Sequence, residues 1–224
     1  MKFLKTNTNQ SLGLILAHSF NLNKVRIKKG TVLEKSHISM LANIGVEKIF
    51  TVKLEKNDIF ENEAAKIIGK VFINQEFIRI GKPLAGRINI YSKNKGVFLT
   101  DEKIINASNS IDYSITVSTL TNYAVVNPGQ IIATIKIIPY AVEKTILKKF
   151  LNSLRKDSIR VFPVKLKKIS LIITKKTDQL KINYQSIVDS INSRLFNLGL
   201  SLKQVLYCEH EISSLSKILK KNTN

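Results

Sequence analysis

"KISLIITKKTDQLKIN" places five phosphate-suited side chains in one short stretch. They are Thr174, Lys175, Lys176, Thr177 and Lys181. An apolar run precedes them and a helical pattern follows, so they fall on a strand-to-helix turn. Open α/β sheets bind ligands at the carboxyl ends of parallel strands, and a helix N-terminus adds backbone N–H donors for an anion. Ammonium and hydroxyl groups there suit a phosphate. A solvated basic loop has the same composition, and the residues alone leave both readings open.

Other reactive residue types are sparse. Cys208 and His210 are spaced to share one face of a strand, but zinc wants three or four such ligands. His18 and His37 lie far away in the chain, and the protein residues predict no metal site. Glu55, Asp58, Glu61 and Glu63 cluster where a helix should begin, where carboxylates complement the helix dipole. No Walker A loop, GxGxxG or GxSxG motif occurs, and no nucleophile can be paired with a base, so no catalytic residue is assigned.

Around these residues the pattern alternates strands and helices. Ser36 is placed as the N-cap of a helix through Ile38, Leu41 and Ala42, with Gly45 as its stop, followed by a strand at "VEKIFTVKL". "ENEAAKIIGKVF" predicts a helix, "EFIRIGK" and "GRINIYS" strands, and "SKNKG" a hairpin turn into "VFLT". "DEKIINASNSIDYSITVSTL" is read as mostly helical. "VNPGQIIATIKIIPYAV" is a strand that Pro139 confines to an edge or an end, and "VEKTILKKFLNSLRK" is an amphipathic helix. From residue 166 the pattern becomes βαβα, opening on "KISLIIT" as a buried parallel strand. The expected organisation is an α+β region over 1–165, followed at 166–224 by the first half of an α/β domain.

The chain has 224 residues with 36 basic and 16 acidic side chains, a net charge of +20. The lysines are dispersed, aromatic residues make up 7% and tryptophan is absent, which disfavours nucleic acid as the partner. One cysteine excludes an internal disulfide framework. No segment approaches the roughly 20 apolar residues of a membrane span, and "LGLILA" is short for a signal peptide. A cytoplasmic protein without a membrane partner is expected. A two-stranded segment lacking cover also suggests a homo-oligomer.

Seven stretches taken in order carry a resemblance: "GLILAHS", "KKGTVLEKSHISMLANIGVEKI", "LEKNDIFENEAAKIIG", "GRINIYS", "VNPGQIIATIKIIPYAV", "KISLIIT" and "YCEHEISSL". Together they resemble a bacterial family of molybdopterin-binding domain proteins of molybdenum-cofactor biosynthesis. The similarity runs from about Gly13 to Leu219, with Leu54–Ala65 and Pro128–Val142 its most specific parts. It implies a three-layer α/β domain of the molybdopterin-binding type after the N-terminal region. It further implies molybdopterin as ligand, its phosphate held near Thr174 to Lys181, and other cofactor-assembly proteins as partners. Some relatives carry a nucleotidyltransferase-like domain, whose motifs are absent here, and the strand and loop that complete the family's pocket are not in this sequence. The alternatives are a scaffold or interaction protein with a degenerate ligand site and, behind it, a basic nucleic-acid-binding protein that uses the +20 charge.

Overall fold

The computed structural model describes residues 1–22, 25–72, 76–166, 168–176 and 183–222. The chain divides into two compact units, Met1–Asn94 with Phe98–Val161, and Lys95–Val97 with Phe162–Asn224. The architecture is mixed α/β, with six helices and several small sheets among the described residues.

The first unit opens with β1 (Lys2–Asn7), β2 (Ile15–Leu16), β3 (Phe20–Leu22), β4 (Val25–Ile27), α1 (Lys35–Asn43) and β5 (Lys48–Lys53). β5 is the centre of a three-stranded antiparallel sheet, with β1 on one side and β2 on the other. Leu16, Ile27, Leu33, Leu41 and Ile49 form its buried cluster. Helix α1 begins two residues earlier than the Ser36 cap predicts. Glu34 is the cap residue, and its N–H donates to Nδ1 of His37 at 3.1 Å. Ser36 therefore lies inside the first turn, and Gly45 follows the helix as expected.

β6 (Asp58–Phe60) leads directly into α2 (Glu61–Lys70), then β7 (Ile78–Ile80), β8 (Arg87–Ser92), β9 (Gly96–Thr100), α3 (Glu102–Asn109) and β10 (Ile115–Thr119). β11 (Val125–Val126), β12 (Ile131–Ile137), β13 (Ala141–Glu143), α4 (Lys144–Ser153) and β14 (Ile159–Pro163) follow. The main sheet has the order β10-β12-β8-β7, all antiparallel, and α2 packs on β8 and β12. Its core joins Ala64, Ile68, Ile88, Ile90, Ile135 and Phe150. Pro139 lies just past the end of β12, so its missing N–H interrupts no ladder.

Two expectations are corrected here. The stretch after Thr100 is helical only to Asn109, and its second half is strand β10. Ile115, Val117 and Thr119 are β-branched, and the Asn109 side chain brackets Val117 by accepting its N–H (2.8 Å) and donating to its carbonyl (2.9 Å). "SKNKG" is not a hairpin, because β8 and β9 lie in different sheets. Ser92, at the end of β8, instead exchanges backbone hydrogen bonds with Gly129 and Gln130. At the start of α3, Asp101 Oδ1 accepts the Ile104 N–H at 3.1 Å. Asp101→Ala is expected to cost about 1 kcal/mol, and Asp101→Asn much less, in thermal melts of the two variants.

The second unit contains β15 (Ile169–Lys175), α5 (Tyr184–Asn197), β16 (Leu202–Glu209) and α6 (Ile212–Asn222). β15 and β16 pair in parallel, with Leu171 opposite Val205 and Ile173 opposite Tyr207. The fully buried strand expected at "KISLIIT" is not what forms. Among the described apolar residues of β15, α5, β16 and α6, only Ile173 and Val188 are buried, while Phe196 is 77% and Ile212 91% exposed. Two strands with one helix after each present too little surface to enclose a continuous apolar run.

Candidate functional site

The parallel pairing brings the carboxyl ends of β15 and β16 side by side, with Thr174 opposite Cys208 and Lys175 opposite Glu209. The His210 N–H donates to the Lys175 carbonyl at 2.9 Å, which carries the register one residue beyond the strands. Side chains alternate across the pair, so its end has two differently equipped faces. On one, Thr174 Oγ1 and His210 Nδ1 share a hydrogen bond of 2.8 Å. On the other, the Lys175 ammonium lies 4.2 Å from the centre of the Tyr207 ring and 5.0 Å from that of Tyr184. The two rings meet edge to face, 6.2 Å apart at 81°.

Tyr184 is the first residue of α5, whose cap Asn183 accepts the Ser186 N–H at 3.2 Å. The cation, the aromatic pair and the positive end of a helix dipole thus share one edge. Of the residues predicted to hold phosphate, Thr174 and Lys175 stand at this edge, and Lys176 is exposed just after β15. Thr177 and Lys181 lie outside the described residues. The residues that sequence reasoning missed are Tyr184, Tyr207 and His210. Tyr184 falls in the helical pattern after the turn, and only the β15–β16 register brings Tyr207 and His210 to the same strand end. Among the described residues, no group of three or more His, Cys, Asp or Glu is placed to hold a metal ion.

A second concentration of chemistry lies in the first unit. The four carboxylates expected to decorate a helix start do not share one role, and Glu55 and Asp58 both pair with the Met1 ammonium, at 3.3 Å and 2.6 Å. Glu63 is exposed and faces Lys66 at 4.0 Å, and Asp58 accepts the Glu55 N–H at 2.7 Å. Glu61, the first residue of α2, is only 7% exposed. Its carboxyl oxygens sit against Gly30 and Gly86, where a Cβ would come within 3.1 Å and 2.9 Å of them.

Gly86 belongs to a two-residue hairpin loop in which Leu84 and Arg87 exchange both backbone hydrogen bonds, with Ala85 and Gly86 both at positive φ. The Gly86 N–H donates to Asn62 Oδ1 at 2.9 Å. Tyr140 closes another side, donating its hydroxyl hydrogen to the Ala17 carbonyl at 2.6 Å while its own carbonyl accepts the Glu61 N–H at 2.9 Å. Residues from "GLILAHS", "KKGTVLE", "FENEAAKI", "GRINIYS" and "KIIPYAV" or their immediate neighbours therefore meet around one carboxyl.

Among the described residues, no hydrogen-bond donor and no ion-pair partner meets the Glu61 carboxylate. Burial pushes its carboxyl above the ordinary range, against the opposing pull of the Lys29 charge. Burial and the Glu61 charge raise the Tyr140 phenol as well. No sequence motif marks this group, because Gly30, Glu61, Gly86 and Tyr140 are distant in the chain and ordinary one by one.

A family described as a domain of unknown function (DUF8806) matches residues 5–53. That span runs from within β1 to the end of β5 and includes Lys29 and Gly30 beside Glu61, and Ala17, which accepts the Tyr140 hydroxyl hydrogen. No curated protein and no solved structure matches the chain. No helix among the described residues is long and apolar enough to cross a membrane.

Proposed function

We propose that this protein binds molybdopterin or a related anionic pterin and takes part in the biosynthesis or handling of the molybdenum cofactor. The supporting observation is the Lys175 ammonium at the carboxyl end of a parallel strand, beside the N-terminus of α5. That donor set suits a phosphate. A cation and helix N–H groups supply charge-assisted hydrogen bonds, and the Thr174 hydroxyl stands at the same strand end. In this proposal β15, α5, β16 and α6 belong to a three-layer α/β domain of the molybdopterin-binding type. Lys175, Lys176 and Thr174 hold the phosphate, together with Thr177 and Lys181. Capture is electrostatic and needs no covalent step. Cofactor-assembly proteins are the proposed partners and the cytoplasm the proposed compartment.

Titration with molybdopterin, read by native mass spectrometry with duplex DNA as competitor, tests this. The expected result is a stoichiometric complex that DNA does not displace. Joint Lys175→Glu and Lys176→Glu substitution is expected to weaken it at least about a hundredfold, because two favourable charges become repulsive. A parent chain that forms no complex, or a complex indifferent to the reversal, refutes the proposal. A second reading, an interaction protein with a degenerate ligand site, is favoured by the exposure of Phe196 and Ile212. It predicts a normal fold, no pterin complex and self-association at micromolar concentration in sedimentation.

A further inference from the structure

We infer that Lys175 is a placeholder on an aromatic platform, and that the planar ring of a phosphate-bearing heterocycle takes the tyrosine face the lysine vacates. This rests on the pterin-phosphate proposal and deepens it by assigning the ring a site. Lys175 serves two rings at once, at 4.2 Å from Tyr207 and 5.0 Å from Tyr184. Tyr207 is 44% exposed, so the ammonium is the chain's own cover on a ring that solvent otherwise reaches. A cation–π contact at an exposed position is weak, whereas an ammonium–phosphate hydrogen bond is charge-assisted. A phosphate arriving at the N-terminus of α5 therefore draws the ammonium off the rings, and the bare ring is a stacking surface. Aromatic side chains stack on any planar base, because every such base has a π-face. Phosphate capture and ring stacking are then coupled through one side chain. His210, hydrogen-bonded to Thr174, stays on the opposite face of the strand pair and takes no part in the ring stacking.

This coupling predicts effects of opposite sign from one substitution. The probes are 6-hydroxymethylpterin, which has the ring without phosphate, and molybdopterin, which has both, each titrated by its own fluorescence. Lys175→Met removes the cover along with the charge. It is expected to strengthen 6-hydroxymethylpterin binding about two- to fivefold, the factor set by a lost cation–π contact. The same variant is expected to weaken molybdopterin. Tyr207→Leu should weaken both ligands about tenfold, while Tyr207→Phe, which keeps the ring, should bind like the parent. If Lys175→Met weakens both ligands, or leaves 6-hydroxymethylpterin unchanged, the placeholder is refuted and phosphate capture by Lys175 stands. If Tyr207→Leu binds both ligands like the parent, the platform is refuted. A parent chain that fails to bind molybdopterin refutes the pterin proposal and this inference with it.

Discussion

Gly86→Ala is expected to destabilise the first unit by about 3 kcal/mol, from two separable causes. The residue sits at φ +70°, in the left-handed region that costs an L-residue roughly 1–2 kcal/mol. An added Cβ would also stand 2.7 Å from the Ile137 carbonyl oxygen and 2.9 Å from a Glu61 carboxyl oxygen. The first contact is with backbone at the end of β12 and cannot be relieved by a rotamer change. Crowding of that kind costs a further 1–3 kcal/mol or so. Gly129 provides the control. Its φ is +81°, but a Cβ there meets nothing within 4 Å, so Gly129→Ala should show the conformational cost of about 1 kcal/mol alone. Urea unfolding of the two variants beside the parent measures the difference. Equal losses would mean that the hairpin loop moves away from β12 freely and does not confine the Glu61 carboxyl.

Glu61→Gln is expected to raise stability at neutral pH and to leave it unchanged in acid. An unfolded glutamate titrates near 4.3, and burial holds the folded carboxyl above its usual value. Between those two values the folded chain binds more protons than the unfolded one, so stability falls as pH rises through that window. The penalty is absent below the unfolded value and complete above the folded one. Glutamine has no charge to desolvate, so it removes the penalty where the penalty exists. The gain is read as a higher melting temperature at pH 8 that vanishes near pH 4. Lys29→Ala should move the other way at pH 8, since the Lys29 charge partly offsets the cost of ionising Glu61. A Glu61→Gln chain that melts lower than the parent at pH 8 would show instead that the ionised carboxylate makes a stabilising contact.

Local chemistry made much of the fold readable. The spacing of Ala64, Ile67 and Ile68 marks α2, and the alternation in "GRINIYS" marks β8, because each pattern reports a face that the element buries. Predictions failed where a distant partner decides. Ser36 has good capping chemistry, yet Glu34 is the cap. "SITVST" forms a strand because Asn109 and β12 pair with it, which no local pattern encodes. "SKNKG" has hairpin composition, but β8 is already flanked by β7 and β12. The two candidate sites divide in the same way. Thr174, Lys175 and Lys176 could be named from a strand-to-helix turn. Tyr207 and His210 could not, because they arrive through the register of β16. In sequence Glu61 is one of four carboxylates at a helix start, and only Gly30, Gly86 and Tyr140, all distant in the chain, distinguish it.

The pairing of β6 with β13, Phe60 with Ala141, also bears on the order in which the chain folds. Bringing such distant residues together closes a long loop, whose entropic cost must be met before later contacts reward it. The β15–β16 pair closes a much shorter one, Ile169 to Leu202, with α5 between its strands. The lysine–tyrosine edge is therefore expected to form early. The wall that Tyr140 places beside Glu61 should be among the last parts of the first unit to assemble. A newly made chain would then present a finished lysine–tyrosine edge while the carboxyl of Glu61 still faces water.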